Sequence, residues 1–115
     1  MPAGLKRPPD YSLMHLVQIL LPLFDNDGTP LPPREYAKVR HELMERFGGL
    51  TAHTQAPAEG LWKDEEGQTS HDEILVFEVM LRDVDRAWWR AYRENLERAF
   101  RQDTIVIRVQ TIELL

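Results

Sequence analysis

The chain has no cysteine among its 115 residues. Disulfides, thiolate nucleophiles and cysteine–zinc sites are therefore excluded, and the composition fits a reducing cytoplasm. A long hydrophobic run is missing too. The longest, Leu13 to Phe24, is interrupted by His15, Gln18 and Pro22, and it falls short of the roughly 20 apolar residues that span a bilayer. The opening segment MPAGLKRPPDYS lacks the apolar stretch of a secretory signal. Positive charge is also scarce: the net charge is −5, and basic residues cluster only where acids are interleaved. Nucleic-acid binders show a basic face that releases counterions from phosphate, so no nucleic-acid partner is expected. No G-x-S-x-G, P-loop or dinucleotide fingerprint is present, and no cofactor is expected. The expectation is a soluble, cytoplasmic protein without a membrane partner.

Several apparent motifs dissolve when their spacing is checked. Asp25-Asn26-Asp27-Gly28 opens like a calcium loop, but Pro30 stands where glycine is needed and Tyr36 where glutamate is needed, so it reads as a turn. His15, His41, His53 and His71 show no paired metal spacing. His71, Asp72 and Glu73 are neighbours in a strand, whose alternation sends them to opposite faces, so no metal site is expected. Pro2 would become amino-terminal on removal of Met1, and tautomerases use such a proline as a base. Here it lies far ahead of the first predicted strand, at residue 14, with no evident route to a pocket.

What is present is a run of well-punctuated elements. Residues 1–12, rich in proline and polar groups, read as a flexible arm, and 13–115 as one domain. Residues 14–24 form a predicted strand closed by the DNDG turn. A helix is predicted over Arg34 to Phe47, with Pro33 tolerated at its start and Gly48-Gly49 as its stop. Its stripe is Tyr36, Val39, Leu43 and Phe47. Strands follow at 50–56 and 72–81, then a helix capped by Asp83 or Asp85 with Trp89, Tyr92, Leu96 and Phe100 on its buried stripe. A last strand covers 104–114. Strand–helix–strand–strand–helix–strand is the pattern of an α+β, ferredoxin-like βαββαβ sandwich: a four-stranded antiparallel sheet with two helices on one face, strands one and three central.

Strand alternation then separates two faces. One parity holds Val17, Ile19 and Leu21; Leu75, Phe77, Val79 and Leu81; Ile105, Ile107 and Val109. All are apolar and suit the helix side. The other holds Leu16, Gln18 and Leu20; Ile74, Val76, Glu78 and Met80; Val106, Arg108, Gln110 and Ile112; with Thr51, His53 and Gln55 from the second strand. This face is apolar at its margins and polar in the middle, and so much aliphatic surface calls for a cover. A second copy of the chain packed sheet to sheet, or a small anionic ligand, would supply it. Stacking rings of the kind that bind RNA are absent from the central strands.

Gln18, His53, Glu78, Arg108 and Gln110 are the candidate ligand or interface cluster. Glu78 or His53 could move a proton while Arg108 holds an anion. Alternatively Glu78 and Arg108 form a structural ion pair, within one copy or across a dimer interface, because buried charges must be paired whether or not they do chemistry. Burial would raise the Glu78 pKa and a nearby arginine would oppose the rise. Catalytic residues stay unassigned.

The segment TQAPAEGLWKDEEGQT, Thr54 to Thr69, is longer than a minimal hairpin loop. It reads as a kinked continuation of the second strand through Pro57 and Gly60, then a charged turn with Gly67 at its tip. Glu59 and Trp62 are candidates for the rim of the open face. Trp88 and Trp89 point about 100° apart on a helix. Trp89 fits the stripe, while Trp88 at its edge caps the core, meets a partner or lines a pocket rim.

The stretch ERFGGLTAHTQAPAEGLWKDEEGQT, an apolar strand, AWWRAYRENLERAF and a final strand together resemble small uncharacterised bacterial proteins. Those proteins share a helix ending in phenylalanine and glycines, a G-x-W loop and a hairpin of this length. The resemblance spans residues 14 to 114 and implies the fold and a bacterial source. It brings no activity, cofactor or catalytic residue. The functional expectation is a homodimer formed through the open sheet face. The alternative is a cofactor-independent small-molecule enzyme, isomerase or monooxygenase-like, with its pocket on that face, and a third possibility is a module that binds another protein.

Overall fold

A computed structural model describes residues 13–63 and 65–115, and their side chains other than those of 54–60, 62 and 69–72. The arm predicted over 1–12 lies outside the described residues. The elements run β1 (Met14–Pro22), α1 (Pro33–Phe47), β2 (Thr51–Lys63), β3 (Thr69–Leu81), α2 (Arg86–Ala99) and β4 (Val106–Ile112). The strands form one four-stranded sheet in the order β2-β3-β1-β4, with every neighbouring pair antiparallel. The chain is thus an α+β protein with two helices, an arrangement consistent with the ferredoxin-like sandwich.

Local chemistry sets the boundaries. Asp25 ends the excursion after β1, its Oδ1 accepting the backbone N–H groups of Asp27 and Thr29 at 2.9 Å each. Its Oδ2 pairs with Arg101 Nη2 at 3.0 Å. The Thr29 N–H bond, with Asp27 and Arg101 behind it, holds the Asp25 carboxyl below its ordinary pKa against the opposing effect of burial. The DNDG segment is a turn. Pro33 begins α1, where the absent N–H is no loss. Gly48 ends it at φ 75°, donating to Met44 O, in the left-handed region that favours glycine. Asp85 caps α2, its side chain accepting Trp88 N–H at 3.1 Å, which decides between the two predicted caps.

The strands differ in length from expectation. β2 and β3 continue to Lys63 and from Thr69, and their pairing shifts register between His53 and Ala58. The kink predicted around Pro57 falls inside that irregularity, and Gly67 takes φ 80° in the turn beyond. β4 starts only at Val106, because the Ile105 N–H goes to Glu97 Oε2 at 2.9 Å rather than to the ladder.

The core lies between the helices and one sheet face. Val17, Ile19, Leu21, Phe77 and Val79 are buried against Tyr36, Val39 and Leu43 of α1 and Trp89, Tyr92 and Leu96 of α2, with Phe100 just beyond α2. Each such side chain taken from water contributes about 1.5–3 kcal/mol. The Tyr36 hydroxyl donates to Pro22 O at 2.5 Å, tying α1 to the end of β1, and burial pushes its pKa up to about 12.

Candidate functional site

No described helix lies on the opposite face of the sheet, and its side chains fall into rows across the strands. In the central row Gln18 of β1 stands between Glu78 of β3 and Arg108 of β4 as direct Cα partners. Thr51 of β2 stands opposite Glu78 on the other side. The next row is His53, Val76, Leu20 and Val106. On the other flank Leu16 lies between Met80 and Gln110. The polar row is therefore bracketed by apolar side chains. Met80 and Val106 are 46% and 48% exposed, while Leu16, Leu20 and Val76 are half-buried.

Side chains on the polar row join into a continuous line across all four strands. His53 Nε2 donates to Glu78 Oε1 at 2.7 Å, reaching diagonally from the neighbouring row. Gln18 Nε2 donates to Glu78 Oε2 at 2.6 Å. Arg108 Nε donates to Gln18 Oε1 at 2.7 Å. Within one copy Glu78 and Arg108 do not pair directly. Gln18 sits between them, because β1 separates β3 from β4 and an amide can donate to one neighbour while accepting from the other.

Partial burial works to raise the Glu78 pKa, but hydrogen bonds from His53 and Gln18 and the charges of His53 and Arg108 outweigh it. The net direction is downward. Glu78 is thus a stable carboxylate with both oxygens engaged: a good anchor for positive charge and a poor proton donor. The described residues leave this cluster partly open. The side chains of His53 and Glu78 are 54% and 19% exposed.

The remaining candidates are placed differently. Gln110 shares the face, opposite Leu16, and makes no hydrogen bond to the cluster among the described residues. The backbone of Glu59 pairs with Glu73 and that of Trp62 with Ser70, and both side chains lie outside the described ones. Trp88 is not on the rim of the open face. It belongs to the helical layer, stacked on Tyr92 at 4.8 Å between ring centroids and meeting Phe47 edge-on at 5.3 Å. Arg46 covers its outer face at 4.2 Å. The residue after Phe47 turns the chain back toward β2, which brings that ring under α2 and draws Trp88 into the seal of the core. Sequence reasoning passed over Arg86, Arg90 and Arg93, which share one side of α2 and line a cavity beside β4. Their i, i+4, i+7 spacing was the available signal.

Among the described residues, no three or more histidine or acidic side chains are grouped to hold a metal ion. No described helix is long and apolar enough to cross a membrane. No family model matches the chain, and no curated protein matches it. Among solved structures it is similar to a phage SAM lyase in complex with S-methyl-5'-thioadenosine. The match has a TM-score of 0.56 and 12% identity, over 96% of this chain and 95% of that one. At that identity the likeness speaks for a shared fold.

Proposed function

We propose that the chain is a ferredoxin-like domain that pairs with a second copy through the open face of its sheet. The observation that carries this reading is the bracketing of one hydrogen-bonded polar row by partly exposed Leu16, Leu20, Val76, Met80 and Val106. Contiguous apolar surface of this kind marks an interaction site. The row is also self-complementary. It runs from a carboxylate end at Glu78 to a cationic end at Arg108, so a two-fold axis near Gln18 sets the Arg108 of one copy over the Glu78 of the other. Such isologous pairing is the commonest form of oligomer. Sedimentation of the full chain should give twice the 13.5 kDa of one copy. Met80→Lys with Val106→Lys should give a folded monomer, since both sites tolerate water within one copy. A wild-type chain that stays monomeric at every concentration sinks the proposal.

A second reading is favoured by Arg108, whose Nε is its one hydrogen-bonded atom among the described residues. Its outward guanidinium edge is left to hold an anionic or polar small molecule in the covered site, as in a cofactor-independent small-molecule enzyme. The fold neighbour solved with S-methyl-5'-thioadenosine supports the choice of that compound as a first probe. Chemical-shift changes at the Gln18 amide and Arg108 Nε on its addition are the expected result. Unmoved signals there would remove this reading while leaving the pairing intact.

A further inference from the structure

The geometry points to a second site on the other side of the sheet: a cavity between α2 and the edge strand β4 that binds a small organic anion. It is independent of the open-face reading. The cavity holds about 170 Å³ and is walled by Arg86, Arg90 and Arg93, with Trp89 beside them and Ile107 and Val109 as an apolar floor. No acidic residue lines it. Two of the acids near it in sequence are already engaged. Asp85 accepts the Trp88 N–H as helix cap, and Glu97 accepts the Ile105 N–H while approaching Arg93 Nε only to 3.8 Å.

Two buried donors on residues that line this cavity make no hydrogen bond among the described residues. They are the indole N–H of Trp89, a residue only 5% exposed, and Nε of Arg93. Buried donors are nearly always satisfied, and each exception calls for an explanation. Arg86 and Arg90 also stand in the first turns of α2, where the helix dipole favours negative charge and opposes cations. A bound anion resolves all of these at once. It would take hydrogen bonds from the guanidinium groups and the indole, and neutralise charge that the dipole opposes. Guanidinium groups suit carboxylate or phosphate oxygens through paired N–H bonds. The Ile107–Val109 floor selects an apolar body on that anion, in keeping with the make-up of small-molecule pockets.

The test uses the full chain labelled with ¹⁵N and phenyl phosphate as the probe. The Trp89 indole signal, assigned by its loss in Trp89→Phe, should move in a saturable way. Arg86→Gln with Arg90→Gln, both at exposed positions, should weaken that binding about tenfold or more while the rest of the spectrum keeps its dispersion. Arg93→Lys should weaken it too, since a lysine cannot offer the paired donors. An unmoved Trp89 signal overturns the proposal. Equal binding by phenol shows an apolar cavity and overturns the anion. Equal binding by inorganic phosphate overturns the apolar body.

Discussion

The two faces of the sheet are built from the same strands, often from adjacent residues, yet they are stabilised by different means. On the helix side Val17, Ile19, Leu21 and Phe77 are 0% exposed, and dispersion and desolvation hold them. On the other side Leu16, Gln18 and Leu20 alternate with them, and a line of hydrogen bonds runs through the middle. The difference concerns specificity. Apolar packing is tolerant of which aliphatic side chain meets which. The Gln18 amide is not tolerant, because it meets both Glu78 and Arg108 only in the observed register. A slip of two residues would set it against Val76 or Met80 and break its bond to Glu78. The covered face supplies most of the stability, and the polar row fixes the alignment of three strands.

The largest effects should therefore come from the covered face. Phe77→Ala empties a fully buried site and should cost about 3–5 kcal/mol in urea unfolding. Val76→Ala, one residue away on the open face, should cost about 1 kcal/mol or less in a single copy, because its side chain is already partly in water. The contrast is sharpened by concentration. If a second copy covers the open face, the Val76→Ala loss grows as the protein is concentrated while the Phe77→Ala loss within one copy does not. Equal losses at both sites in a demonstrated monomer would break the comparison.

A smaller effect is expected from the polar row. Gln18→Leu keeps the shape and removes the amide that links Glu78 to Arg108. It should cost about 1–2 kcal/mol and let the Glu78 pKa rise, read from its side-chain carbon shift. The sign of the pH dependence follows from the downward direction of the native value. The ordinary value is near 4.5, and the folded pKa lies below it. The contribution of ionised Glu78 is thus fully present above the ordinary value and is lost as pH falls through the folded one. The stability gap between wild type and Glu78→Gln should accordingly close on acidification below pH 4.5. A gap that stays constant across that range would show that the carboxylate charge contributes nothing to the row.

Strand parity made much of this legible in advance. Alternation in LVQILL and ILVFEVML already separates Val17 from Gln18 and Phe77 from Glu78, since a strand has no other way to place neighbours. The convergence of Gln18, His53, Glu78 and Arg108 required in addition the strand order, which the sequence of elements suggested. Contact partners were harder. Glu78 and Arg108 attract by charge, but the intervening strand puts an amide within reach of both, and side-chain reach is not encoded in spacing. Trp88 was ambiguous for a similar reason. Its fate depends on Phe47, which belongs to another helix and meets it only in the folded protein. The arginines of α2 were visible as a spacing, but their cavity depends on where β4 begins, and that is set by the Glu97 bond to Ile105.

The smallest effect compares the cations that border each face. Arg108 ends the polar row through a hydrogen bond, whereas Arg46 lies over Trp88, with its guanidinium carbon 4.2 Å from the ring centroid, and stands in the last turn of α1. A cation over an indole contributes about 0.5–1 kcal/mol at an exposed site, and one near a helix C-terminus about 0.3–1 kcal/mol. Arg46→Gln removes both and should lower stability by about 1 kcal/mol in urea unfolding. Arg46→Lys keeps the charge near the helix end but gives up the flat stack, so it should recover part of that loss. Salt separates the two contributions further, because the dipole interaction is screened at the surface more than the close contact with the ring. The Arg46→Gln loss should therefore shrink in high salt without vanishing. If it vanishes, the stack over Trp88 contributes nothing, and the edge of the covered face is sealed by Phe47 and Tyr92 alone.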